Sequence, residues 1–187
     1  MTLPISVNPY APPVAAVEDI SSERKRSEDT PFFAVSVIKL LVMSICTFGF
    51  YELYWFYQNW RRIKMREQRN ILPVARALFT VIFCYPCFTR IRDYEAPSNK
   101  GAALAAGPLA IGWTLTTMMA NLRHPYGLIS LLAPIFLLPV QAHVNRINAL
   151  VAPDQPNERF TGWNWVAVVV GGLFFALMVV AAFLPDQ

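Results

Sequence analysis

The pair Cys84-Tyr85-Pro86-Cys87 has the C-x-x-C spacing in which one thiolate attacks and the second resolves a mixed disulfide. Passing the electrons on takes a second cysteine pair or a quinone site, and only Cys46 remains. No βαβ pattern surrounds the motif. As half of a zinc site it lacks the other half: His124 and His143 are single and far apart, whereas structural zinc takes four regularly spaced ligands. All three cysteines fall in apolar runs, where a thiol ordinarily packs as a small hydrophobe. Cys84 and Cys87 are therefore a candidate redox pair whose expected role is packing.

Ionisable residues inside apolar runs are the next chemical candidates: Lys39, Glu52, Arg76 and His143. A charge at a bilayer centre costs about 2.5–3.5 kcal/mol on insertion scales, so each needs a partner, water or a path to the interface. In a transporter they would line a substrate or proton path. As anchors they would sit near run ends, with Lys39 snorkelling to the interface and Glu52 pairing with Arg76. Gln141, Asn145 and Asn148 share one helical face by the three- and four-residue rule, suited to interhelix hydrogen bonds or a polar headgroup. Segment 58–76 holds six basic residues and one acid, rimmed by aromatics. Tyr54, Trp55, Trp60, Arg61, Arg62, Lys64, Arg66 and Arg69 are thus candidates for binding anionic lipid headgroups or a partner, at ~1 kcal/mol per basic residue near the surface. Nucleic acid is not expected, because the patch lies against the bilayer. The chain has no catalytic triad ordering, paired catalytic carboxylates, Walker loop or dinucleotide fingerprint, and neither enzymatic activity nor a cofactor is expected.

These residues sit in a chain of 187 residues that is 55% apolar and 15% charged, with mean hydropathy +0.38. Soluble domains carry about 25% charged residues, so too little polar surface is present to solvate a compact globule. Residues 1–31 form a proline-rich, charged tail, expected to be disordered and not a signal peptide. Residues 32–187 read as one helical membrane domain. The run 32–57 is 26 residues long, more than the ~20 needed to cross, although Thr47-Phe48-Gly49 is able to interrupt it. Spans are also expected at 102–120, 127–142 (kinked by Pro134 and Pro139, with a polar extension to Asn148) and 163–184, opened by Trp163 and Trp165. Four-residue spacings such as Ala167/Gly171 permit close helix approach, within the chain or in a homo-oligomer.

The segment 72–91 is ambiguous: its apolar run is only seventeen residues long, to position 88, with Arg76 and Pro86 inside. If it stays on one side as an interfacial or re-entrant helix, residues 58–101 with nine basic residues face the cytoplasm together with Arg146 and Arg159. Eleven basic residues then oppose four, as the positive-inside rule requires. The expected class is all-α, a bundle of about four transmembrane helices plus that helix. The tail's Arg24, Lys25 and Arg26 fit this arrangement poorly, and would move to the cytoplasmic side if the break at Thr47–Gly49 made the first run re-entrant.

The stretch Thr47-Phe48-Gly49-Phe50-Tyr51-x-x-Tyr54-Trp55-x-Tyr57-x-x-Trp60 resembles the T-L-G-I-Y-x-x-Y-W motif of small bacterial multi-pass proteins of unknown function, with Phe48 and Phe50 where Leu and Ile are usual. Arg76-Ala-Leu-Phe79, Arg90-Ile91 and Val144–Asn148 resemble further parts of that pattern, and Asn8–Pro13 resembles tails of proteobacterial inner-membrane proteins. The resemblance implies a bacterial inner-membrane location and brings no activity.

Overall fold

A computed structural model describes residues 30–94, 104–123, 126–152 and 162–183. Of the tail expected over residues 1–31, residues 1–29 lie outside the described residues, as do Lys100, His124 and the 153–161 loop, whereas Thr30 is described and buried. Every regular element among those described is helical, which establishes the all-α class.

The first apolar run is a hairpin. A bend through Phe32 leads into the non-helical residues 33–36, extended at Ser36, and α1 (Val37–Cys46) begins at Ser36, whose Oγ accepts the Lys39 N–H at 3.1 Å. It ends after 10 residues because Phe48 and Gly49 turn left-handed, at φ 51° and 86°. Their N–H groups close back on the carbonyls of Ile45 and Ser44 at 3.2 and 2.9 Å, a Schellman-type stop. The Thr47 hydroxyl donates to the Met43 carbonyl at 2.7 Å and accepts the Tyr51 N–H at 2.9 Å, tying the two arms at the bend. The second arm, α2 (Phe50–Glu67), runs back beside the first, so Phe33 meets Tyr54 and Asn59 while Phe32 meets Arg66. The span expected over 32–57 is therefore not one helix; local backbone closure at Thr47–Gly49 divides it.

Proline at its first position starts α3 (Pro73–Leu78), and Phe79, at ψ 41°, separates it from α4 (Thr80–Arg92). Segment 72–91 is thus two helices, α3 against α2 and α4 between α2 and α5 (Ala106–Met118). Two 3-10 turns, Met119–Asn121 and Tyr126–Leu132, lead into α6 (Pro134–Val151), which returns along α5 and continues past His143. A Cβ at Gly112 would run into the Phe136 ring, which would have to shift to admit it. The 22-residue α7 (Gly162–Phe183) packs on α1, where a Cβ at Gly171 would run into the Cys46 backbone carbonyl.

The core is aromatic: Phe56 lies edge-on to Trp55 (5.0 Å), stacked on Phe88 (6.0 Å) and edge-on to Trp113 (5.1 Å). Such pairs contribute about 0.5–1.5 kcal/mol each beyond burial. The outside is apolar as well. Ile38, Ile82, Ile111, Leu173 and Phe174 are all more than three-fifths exposed, and they come from four different helices. Among the described residues, one stretch, Tyr126–Val151, is both long and apolar enough to cross a bilayer.

Candidate functional site

Four amide side chains hold the non-helical segment 32–35 at the centre of the fold. Asn148 accepts the Phe32 N–H at 3.3 Å and donates to the Phe32 carbonyl at 3.1 Å. Asn59 accepts the Phe33 N–H at 3.1 Å and anchors itself on the Trp55 carbonyl at 3.0 Å. Gln141 shares its two amide N–H groups among the carbonyls of Phe33 (3.2 Å) and Val35 (3.0 Å) and Asn145 Oδ1 (2.7 Å), while its own oxygen accepts Trp55 Nε1–H. Asn145 adds a second donor to the Val35 carbonyl at 2.9 Å. Peptide groups that no helix satisfies cannot be left bare in an apolar interior, and side-chain amides with both donor and acceptor atoms are suited to cover them. Gln141, Asn145 and Asn148 do share one face of α6; what they bind is the non-helical segment 32–35.

This cage places three chain segments at one end of the fold. Arg66 lies 4.7 Å from the ring centroids of both Phe32 and Tyr94, and Arg62 lies 5.3 Å from that of Phe33. Trp60 is flanked by Arg76 at 4.3 Å and Arg90 at 5.2 Å, and Arg90 is paired with Glu67 at 3.2 Å. Guanidinium groups stack on aromatic faces in a way lysine does not reproduce. Arg69 reaches Glu67 at 3.8 Å, and Arg92 binds Asp93 at 2.7 Å, which holds that exposed carboxyl below its ordinary range. Residues 61–94 carry eight basic and two acidic side chains.

Several expected site residues take other positions. Trp55 and Trp60 were expected at the lipid or partner contact; both are wholly buried, as core and as the stacking platform. Arg62 is nearly buried too, whereas Arg61, Arg66, Arg69 and Tyr54 are exposed and Lys64 is half-buried. The anticipated Glu52–Arg76 pair does not form: Glu52 Oε2 accepts Trp113 Nε1–H at 2.5 Å on the far side of the core, while Arg76 covers Trp60. Lys39 and His143 are buried on α1 and α6. The thiols of Cys84 and Cys87 are wholly buried and unlinked, one helical turn apart on α4. Three residues escaped sequence reasoning: Asn59, inside a segment read by its charges, and Ser44 and Trp113, inside runs read by their apolarity. Only the pairing of distant elements reveals them.

No family model, no curated protein and no solved structure matches this chain.

Proposed function

We propose that the chain is a multi-pass protein of a bacterial inner membrane. Its basic, aromatic end faces the cytoplasm and engages anionic lipid headgroups or an acidic membrane-protein partner without catalysing a reaction. One observation carries this reading: Thr30, Arg61–Arg69 and Arg90–Tyr94 gather at the same end of a fold whose flanks are apolar. Each of the segments 30–67 and 104–151 leaves that end and returns to it, so α7 alone is left to carry the chain across. In this topology the basic residues of the tail lie on the cytoplasmic side with the rest, which removes the conflict left by a tail on the opposite face. Burial of both thiols argues against the redox alternative, since attack on an external disulfide requires an accessible thiolate.

The topology test uses a cysteine-less variant carrying one new cysteine at Ser27, ahead of the buried Thr30, or at the exposed Gln68. An impermeant maleimide added outside intact cells should label neither; labelling of one alone would refute the shared side. The docking test compares phosphatidylglycerol retained by the purified protein with that retained by a variant in which Arg61, Lys64 and Arg69 are replaced by glutamine. At about 1 kcal/mol per basic residue the preference should fall on the order of 100-fold. An unchanged preference would exclude these residues as the contact.

A further inference from the structure

At the end opposite the basic residues, the α1–α2 bend, the α3–α4 joint, the end of α5 and the start of α6 line a half-open cavity of about 330 Å³. Its size is that of a small-molecule site. Glu52, Ser44 and Thr117 line it among apolar walls that include Phe48, Leu53 and Trp113, and no basic residue among the described residues lines it. Glu52 is buried, 5% exposed; Trp113 holds one carboxyl oxygen, and no described cation pairs with the group. Ser44 is 1% exposed, and its Oγ has no hydrogen-bond partner; the same holds for Thr117 Oγ1. A buried carboxylate without a counter-charge is costly, and so is each buried hydroxyl without a partner. Two partnerless hydroxyls, Ser44 Oγ and Thr117 Oγ1, fall on the same cavity as an acid without a counter-charge, and that clustering points to something that fills it.

We infer that this cavity binds a primary ammonium group bearing a short apolar tail. An alkylammonium carries three N–H donors and one positive charge. The free Glu52 oxygen, Ser44 Oγ and Thr117 Oγ1 supply three acceptors and the compensating negative charge, and the apolar walls take the tail. An inorganic cation would leave those walls uncovered, and an anion would meet the carboxylate. The ammonium group can belong to a free amine or to an aminophospholipid headgroup, since the chemistry recognised is the same.

The test uses the full chain in phosphatidylcholine nanodiscs with phenethylamine as probe, followed by tryptophan emission and thermal unfolding. Trp113 reports directly because it is bonded to the acid. Saturable binding is expected, with 2-phenylethanol, which lacks the charge, failing to bind at the same concentrations. Glu52→Gln keeps an oxygen for Trp113 and should weaken binding at least 10-fold; Ser44→Ala and Thr117→Val should each weaken it several-fold. If Glu52→Gln fails to fold, the two hydroxyl variants decide. The inference is overturned if wild-type protein shows no saturable response at millimolar amine, if phenylethanol binds equally, or if neither hydroxyl variant weakens binding. Replacing part of the phosphatidylcholine by phosphatidylethanolamine separates the sources: competition with phenethylamine identifies the lipid headgroup, and its absence identifies the free amine.

Discussion

Replacing Gln141 with leucine tests whether the amide cage holds the fold. The two side chains are close in volume, so the change removes hydrogen bonds while preserving the packing of α6. Two buried groups lose the sole partner found for them: Trp55 Nε1–H and the Phe33 carbonyl. The Val35 carbonyl keeps Asn145. A buried polar group stranded without a partner costs about 1–3 kcal/mol, so two cost about 2–6 kcal/mol. The gain from leucine's apolar surface offsets part of this, leaving a net loss of about 3 kcal/mol. For a chain of this size 1 kcal/mol moves the midpoint by about 2–4 °C, so thermal unfolding of the detergent-solubilised protein should fall by about 6–12 °C. Asn145→Ala should cost less, because Val35 retains Gln141. Combining Gln141→Leu with Trp55→Phe should be non-additive by at least ~1 kcal/mol, since the second change removes a donor that the first has already stranded. A loss for Gln141→Leu near the ~0.6 kcal/mol average of hydrogen bonds in membrane bundles would refute the reasoning. Residues 32–35 would then be held by their surroundings and not by the cage.

Three further outcomes are expected. Gly171→Ala drives a methyl group into the Cys46 carbonyl and should loosen α7 from α1, seen as faster maleimide labelling of Cys46; Gly172→Ala meets nothing within 4 Å and should leave that rate unchanged. Gly49→Ala forces a Cβ into the left-handed region at φ 86°, and the unfolding midpoint should fall by the equivalent of about 1–2 kcal/mol; no loss would mean that the bend relaxes freely. Cys84 and Cys87 should resist thiol reagents in the folded protein and react fully once it is denatured, and labelling of native protein at the rate of the partly exposed Cys46 would restore the redox reading.

Class and chemistry were legible in the sequence to different depths. Helical content, the polar extension of α6 and the common face of Gln141, Asn145 and Asn148 follow from periodicity alone, because each is local to one helix. The close packing of Gly171 was visible as a small-residue spacing, but not its contact with the Cys46 carbonyl. The hairpin was only half visible. Thr47-Phe48-Gly49 marked a break, yet a break looks the same whether the chain continues across or turns back, and the deciding contacts lie between residues 26 and 116 apart. The buried position of Trp60 was hidden for a related reason. An aromatic beside a run of arginines looks interfacial until one sees that two other arginines, Arg76 and Arg90, come from other helices to cover its ring.

Why the chain unwinds at residues 32–35, in a place where a helix would satisfy its own peptide groups, follows from length. The returning arm, α2, has 18 residues and is about 27 Å long. The outgoing arm from Phe32 to Cys46 has 15 residues, and as a continuous helix it would extend about 22 Å, stopping a full turn short of the Arg62–Arg66 level. With the residues ahead of α1 non-helical and Ser36 extended, the arm gains reach over a continuous helix, because extended backbone rises about 3.3 Å per residue against about 1.5 Å in a helix. Phe32 then comes under Arg66 and Phe33 under Arg62. The amides of Asn59, Gln141, Asn145 and Asn148 are what make that extension tolerable in an apolar interior. They therefore act on orientation as well as stability, because by holding the arm extended they bring the chain's N-terminal approach to the basic end. Shortening the non-helical segment by one residue should pull Phe32 off Arg66 and strand the Phe32 pairing with Asn148, whereas inserting one alanine into the Gln68–Asn70 turn, outside both arms, should disturb neither.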